Sequence, residues 1–219
     1  MIALALEAST YAGSVCVVRG REIIASRTVA MRDALWEQLM PAVAAALDDA
    51  GIGVRDLTRL VCGAGPGSFT SLRIAAAIAK GLAAATGCPL YAVSSLALMV
   101  AAADPPLPAG EYIAVLDALR GEVYAATCAV DAAGEVTGVG PLALVAASEL
   151  TEHERLGRRL VGERARVPGT PHARGVARVG ALLERAGPVD LTRWEPEYGR
   201  VAEAQRRWEA AHGRPLAHD

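Results

Sequence analysis

Few stretches of this chain have the residue types and spacing for chemistry. The most suggestive is Gly63-Ala64-Gly65-Pro66-Gly67-Ser68. Three glycines in five positions relieve the Cβ clash that forbids tight backbone geometry, and Pro66 fixes one torsion between them. Ser68 or Thr70 is placed to cap the helix that follows, turning free N–H groups and a positive dipole end toward the loop, where an anion could sit. The loop is no standard phosphate signature, however. A Walker loop needs Gly-Lys-Ser/Thr, and no lysine comes before Lys80; the dinucleotide fingerprint needs a third glycine where Ser68 stands. It reads first as a strand-to-helix turn.

Two acidic residues stand at comparable places. Glu7 closes the apolar run Ile2–Leu6 and is followed by Ser9 and Thr10, so it either faces a ligand or ends a strand in solvent. Asp117 closes Tyr112–Leu116 in the same way. The histidines (His153, His172, His212, His218) are isolated, and none neighbours a recognisable nucleophile motif. Cys16, Cys62, Cys88 and Cys128 are dispersed in apolar contexts without metal-ligand spacing, so they read as buried, reduced thiols and no metal site is expected.

The elements that must position these groups follow the hydrophobic pattern. Ile2–Ala8, Ser14–Val18 and Glu22–Val29 predict an antiparallel meander. Asp33–Ala50 predicts a helix with the stripe Leu35, Leu39, Val43 and Leu47, widened by Trp36 and Met40; Pro41 must kink it or fall near its start. Phe69–Thr86 predicts an alanine-rich helix with only Arg73 and Lys80 charged, apolar around nearly its whole circumference. Asp104–Gly110 is the clearest linker, dividing a first lobe (1–103) from a second (104–219). There, strands are expected at Tyr112–Leu116, Glu122–Ala129 and Val136–Val145, then helices at Val176–Arg185 and Val201–Ala211. Each half opens with a strand, an acidic residue and a hairpin, a weak internal duplication. An arginine-rich stretch, residues 155–178, reads as solvated surface or as a contact for RNA phosphates.

With 219 residues and a net charge of −2, nothing global points to nucleic acid or a membrane surface. No apolar run is long enough to span a bilayer, so a cytoplasmic protein is expected.

The residues also carry a family resemblance. GPGSFTSLRI (Gly65–Ile74) resembles the GPGSFTGLRIG signature of the TsaB (YeaZ) family, and DALRGEVY (Asp117–Tyr124) its DARRGEVY hairpin. Pro196–Arg200 resembles its late P-x-Y-L/V-R segment, and Leu4–Val15 its opening hairpin. The four matches are collinear.

That resemblance implies an α/β, actin-like and Hsp70-like ATPase fold of two lobes, the second reduced. It implies a non-catalytic subunit that pairs with a TsaD-like catalytic paralogue and, with a TsaE-like ATPase, supports threonylcarbamoyl transfer to the tRNA adenosine beside the anticodon. The same face can form a homodimer, and tRNA is met only indirectly. It puts the partner interface at Trp36, Leu39, Met40, Val43, Ser71, Leu72, Ala75, Ala76 and Ala79, so that Ala76→Glu should abolish pairing. It makes Glu7, Ser9, Gly65, Gly67, Ser68 and Asp117 a vestigial nucleotide site, with no cofactor of the chain's own and ATP or ADP at the complex interface. The alternative is an independent ATPase or phosphotransferase of the same superfamily using Glu7 and Asp117. The chain departs from the family at Glu7 (usually Asp), Ser71 and Ala75 (Gly), Leu119 (Arg) and Gly199 (Leu or Val).

Overall fold

The computed structural model describes residues 1–32, 36–200, 208 and 211–213. Three strands, β1 (Ile2–Glu7), β2 (Ala12–Arg19) and β3 (Glu22–Ala30), form the antiparallel meander that the short apolar runs predict. Helix α1 spans Leu39–Asp49, β4 Arg59–Gly63, α2 Phe69–Thr86 and β5 Leu90–Val93. Strands β4 and β5 add in parallel, giving the order β3-β2-β1-β4-β5.

Alternation along these strands separates two cores. Leu4, Leu6, Val15, Val17, Leu60 and Cys62 face α1 and α2. The smaller Ala3, Ala5, Cys16, Val18 and Val61 face α3 (Ser95–Ala101), every residue of which is buried. The reverse side of α3 meets a second sheet, so the two sheets share that core. This sheet contains β6 (Gly110–Asp117), β7 (Glu122–Val130), β8 (Val136–Val139) and β9 (Ala143–Ala146). After α4 (Glu149–Arg155), the two-residue β10 (Leu160–Val161) joins β6 in parallel. A 3-10 turn (Ala173–Arg178) and α5 (Gly180–Ala186) complete the elements.

The order β8-β7-β6-β10 repeats β3-β2-β1-β4 with the same strand directions. The internal duplication is therefore visible in the topology; the second sheet has no counterpart of β5 beyond β10 among the described residues, and its fifth strand, β9, pairs with β7. Two related mixed sheets with helices packed on them make an α/β architecture, as the family resemblance implies. No helix among the described residues is long and apolar enough to cross a membrane.

Several expectations need correction. Helix α1 begins at Leu39, with Pro41 in its first turn, where a missing N–H costs nothing. Residues 33–35 of the expected helix lie outside the described residues, and Trp36 stands in the turn before it. The expected strand Val136–Val145 is two strands, because Gly140-Pro141 interrupts it; β8 and β9 then pair different stretches of β7. Val176–Arg185 is split between the 3-10 turn and α5. Most of Val201–Ala211 lies outside the described residues. Of the arginines, Arg174 and Arg178 turn inward and donate to the carbonyls of Ala101, Ala102 and Ala103 at the end of α3. Arg159 likewise donates to Ala109 O and Tyr112 Oη.

Candidate functional site

The ends of β1, β4 and β6 converge on one cavity of about 610 Å³ between the lobes. Its walls include Ser9, Ser68, Asp117, Tyr124, His172 and Arg200. Of the six positions expected to form a vestigial nucleotide site, Ser9, Gly67, Ser68 and Asp117 meet here, while Glu7 and Gly65 do not line it.

Glu7 is neither at a ligand nor in solvent. It is fully buried; its Oε1 accepts from Ser9 N at 2.6 Å, and its Oε2 accepts from Ser95 Oγ at 2.8 Å. Desolvation raises its pKa above the usual carboxylate range, against the lowering effect of those hydrogen bonds. Ser95 Oγ also accepts from Gly65 N at 3.1 Å. The carboxylate thus ties β1, the glycine loop and α3 together. Space for it comes from Gly63, where a Cβ would lie 1.8 Å from Glu7 Oε2.

The loops around the cavity use their own donors. Ser68 N donates to Ser9 O at 2.7 Å, and a Cβ at Gly67 would lie 2.1 Å from that oxygen, so these two loops touch. Ala12 N donates to Thr10 Oγ1, Ala118 N to Glu122 O, and Leu119 N to Asp117 Oδ1 at 2.7 Å. Ser68 makes no side-chain cap to α2; its hydroxyl meets Ser71 Oγ at 3.0 Å. A nucleotide's phosphates need N–H groups directed into the space between loops. These four N–H groups are therefore bonded within the loops and not directed into the space between them. No group of three metal-ligating side chains exists among the described residues.

His172, Thr28 and Tyr198 also line the cavity, and nothing in their spacing signalled it. His172 Nδ1 accepts from Arg174 N at 3.1 Å, so the neutral ring carries its proton on Nε2 and donates to Thr28 Oγ1 at 3.1 Å. Burial, helped by the Arg174 charge, pushes its pKa down to about 4. The unfolded chain takes up a proton near the ordinary value of 6.5 while the folded ring does not. Stability from this site is therefore complete above 6.5 and is lost as pH falls toward 4. In His172→Asn, Oδ1 keeps the acceptor for Arg174; thermal melts from pH 7 to 4.5 should then show a shallower decline than in the parent. An unchanged decline would reject this origin.

The expected interface residues divide sharply. Leu39, Val43, Leu72, Ala75, Ala76, Ala79 and Ser71 are all 5 % exposed or less within this one chain. They are core positions, not free surface: Leu39, Val43, Ala75 and Ala79 pack on the first sheet. Ala76→Glu would therefore disturb the fold itself. Trp36 and Met40 do stand free, at 67 % and 41 % exposure. On α2 the open stripe is Arg73, Ala77, Gly81, Ala84 and Ala85, flanked by half-buried Ile74 and Ile78.

The family model described as TsaD, tRNA N6-adenosine threonylcarbamoyltransferase, matches residues 27–149, more than half of the chain. The tRNA threonylcarbamoyladenosine biosynthesis protein TsaB of Bacillus subtilis is 35 % identical over 124 residues, covering 57 % of this chain and 53 % of that one. An uncharacterised protein of Mycobacterium tuberculosis is 36 % identical over 157 residues, covering 67 % and 72 %. The chain spans about half the length of the TsaB relatives that it matches, at 53 %, 51 % and 52 %. Among solved structures, YeaZ from Pseudomonas aeruginosa superposes with a TM-score of 0.73 at 27 % identity, covering 90 % of this chain and 99 % of that one.

Proposed function

The chain belongs to the TsaB (YeaZ) family, and from that premise we propose that it serves tRNA threonylcarbamoyladenosine biosynthesis in the cytoplasm as a subunit without chemistry of its own. Its role is to dock a TsaD-like catalytic paralogue, in an assembly that a TsaE-like ATPase joins. Alone, the same face pairs with a second copy.

The observation that carries this reading is the open apolar face of α1 and α2. Trp36 and Met40 on one side and the Ala77, Gly81 and Ala85 stripe on the other have no cover among the described residues. Small side chains let a partner helix approach closely, and a helix pair on each side can supply the roughly 1,600 Å² that a stable interface buries. Any adenine nucleotide in the assembly is shared with the partner, since Ser68 N, Ala118 N and Leu119 N are already bonded within the loops here. That engagement also weighs against the rival reading of an independent ATPase.

The test is light scattering after size exclusion, on the chain alone and mixed with the same organism's TsaD-like paralogue. Ala77 is exposed, so Ala77→Glu should leave the melting temperature nearly unchanged while abolishing the complex. A one-to-one complex that survives the substitution overturns the placement. ATP turnover by the lone chain, lost in Asp117→Ala, would replace the docking role with the enzyme.

A further inference from the structure

After α5 the chain turns back across the first lobe. Val189 N donates to Leu90 O at 2.8 Å, and Val189, Leu191 and Trp194 pack against the helix-side core. The Trp194 ring lies 5.7 Å from Lys80 Nζ, and Glu197 N donates to Ala64 O at 2.7 Å. The Tyr198 ring meets Phe69 with centroids 4.5 Å apart. These contacts all lie in the first lobe.

The next contacts cross to the second. Gly199 sits between Pro66 and Tyr124: a Cβ there would lie 3.0 Å from Pro66 Cβ and 2.4 Å from Tyr124 Cε1. Its φ is +69°, which glycine adopts without a steric cost. Tyr124 Oη donates to Tyr198 O at 3.2 Å, and Arg200 pairs with Glu122. Tyr124, Tyr198 and Arg200 all line the cavity.

We propose that Tyr198-Gly199-Arg200 is an interlobe clip that holds the β6–β7 hairpin against the Gly65-Pro66-Gly67 loop, sets the width of the cavity, and can release. Two features support release. The strap up to Glu197 is anchored by apolar packing and main-chain bonds, whereas the crossing relies on two long hydrogen bonds, Tyr124 Oη to Tyr198 O and Arg200 to Leu119 O, and one ion pair. That pair is incompletely satisfied, because Arg200 Nε is buried without a hydrogen-bond partner among the described residues. Opening the clip therefore breaks few contacts and leaves the strap seated. Gly199 makes the closure tight, since any side chain there must push the hairpin away from Pro66.

Spin labels on Arg55→Cys in the first lobe and Leu144→Cys on β9 read the separation directly. The native cysteines are buried, with Cys16 and Cys128 pushed up to about 12 by desolvation and Cys62 and Cys88 also raised, so labelling is confined to the introduced thiols. The parent should give one narrow distance. Gly199→Leu and Arg200→Ala should give longer, broader distributions, and Tyr124→Phe, which removes a single oxygen, a smaller shift in the same direction. If Gly199→Leu fails to fold, the other two decide. Distributions identical to the parent in both Arg200→Ala and Tyr124→Phe would overturn the clip.

Discussion

Gly63→Ala is expected to lower stability by about 3–5 kcal/mol, the combined scale of overpacking and of breaking the hydrogen bonds of a buried side chain. For a chain of this length that is a fall of about 10 °C in Tm. The added Cβ would lie 1.8 Å from Glu7 Oε2, 2.8 Å from its Cδ and 3.1 Å from Ser95 Oγ. None of these neighbours can retreat, because the carboxylate is held at both oxygens and Ser95 is itself fully buried. A double-mutant cycle identifies the cause. In a Glu7→Ala background the clash is gone, so Gly63→Ala should cost at least about 1 kcal/mol less there than in the parent. Equal costs in both backgrounds would mean that the glycine is needed for another reason.

Glu7→Gln should move stability the other way. The folded pKa of Glu7 lies above its usual value of 4.5, so the folded state holds a proton that the unfolded chain has released. Its contribution is fully present below the ordinary carboxylate range and is lost as pH rises through the raised value. Glutamine avoids that loss: its oxygen still accepts from Ser9 N, and its amide faces Ser95 Oγ. Denaturant melts at pH 8 should show Glu7→Gln more stable than the parent, the gap closing toward pH 4. Glu7→Ala should instead lose about 3 kcal/mol, since it leaves a void and orphans Ser9 N. A glutamine variant that is less stable at pH 8 would show that the negative charge itself is required.

What was legible in the sequence was local. The bounds of α2 follow from the glycine loop before Phe69 and the Gly87-Cys88-Pro89 stop, and the meander follows from short apolar runs. The duplicated lobe was visible because Asp117 repeats the place of Glu7. What stayed hidden depended on distant neighbours. The burial of Glu7 requires Ser95, 88 residues away. The closure of α2 requires Trp194 and Tyr198, so an all-round apolar helix looked like a partner surface when part of it was core. The apolar stripe carried the first helix back through Trp36, and of the two places that Pro41 left open, a kink or the start, the structure takes the start. Within the cavity, His172 and Arg200 arrive from the second half of the chain, and no spacing rule connects them to Ser9.

The strap also bears on how the protein is made. Leu90 and Ala64 receive hydrogen bonds from Val189 and Glu197, more than ninety residues downstream. A ribosome adding about 5–20 residues per second needs roughly 5–20 s to synthesise that interval. Through all of it the nascent first lobe has its strands and both helices but not its last layer, leaving the Phe69 and Lys80 side of α2 bare. Completion of this lobe is thus timed by the synthesis of residues 189–198, and nascent chains stalled before Trp194 should be the ones that chaperones hold.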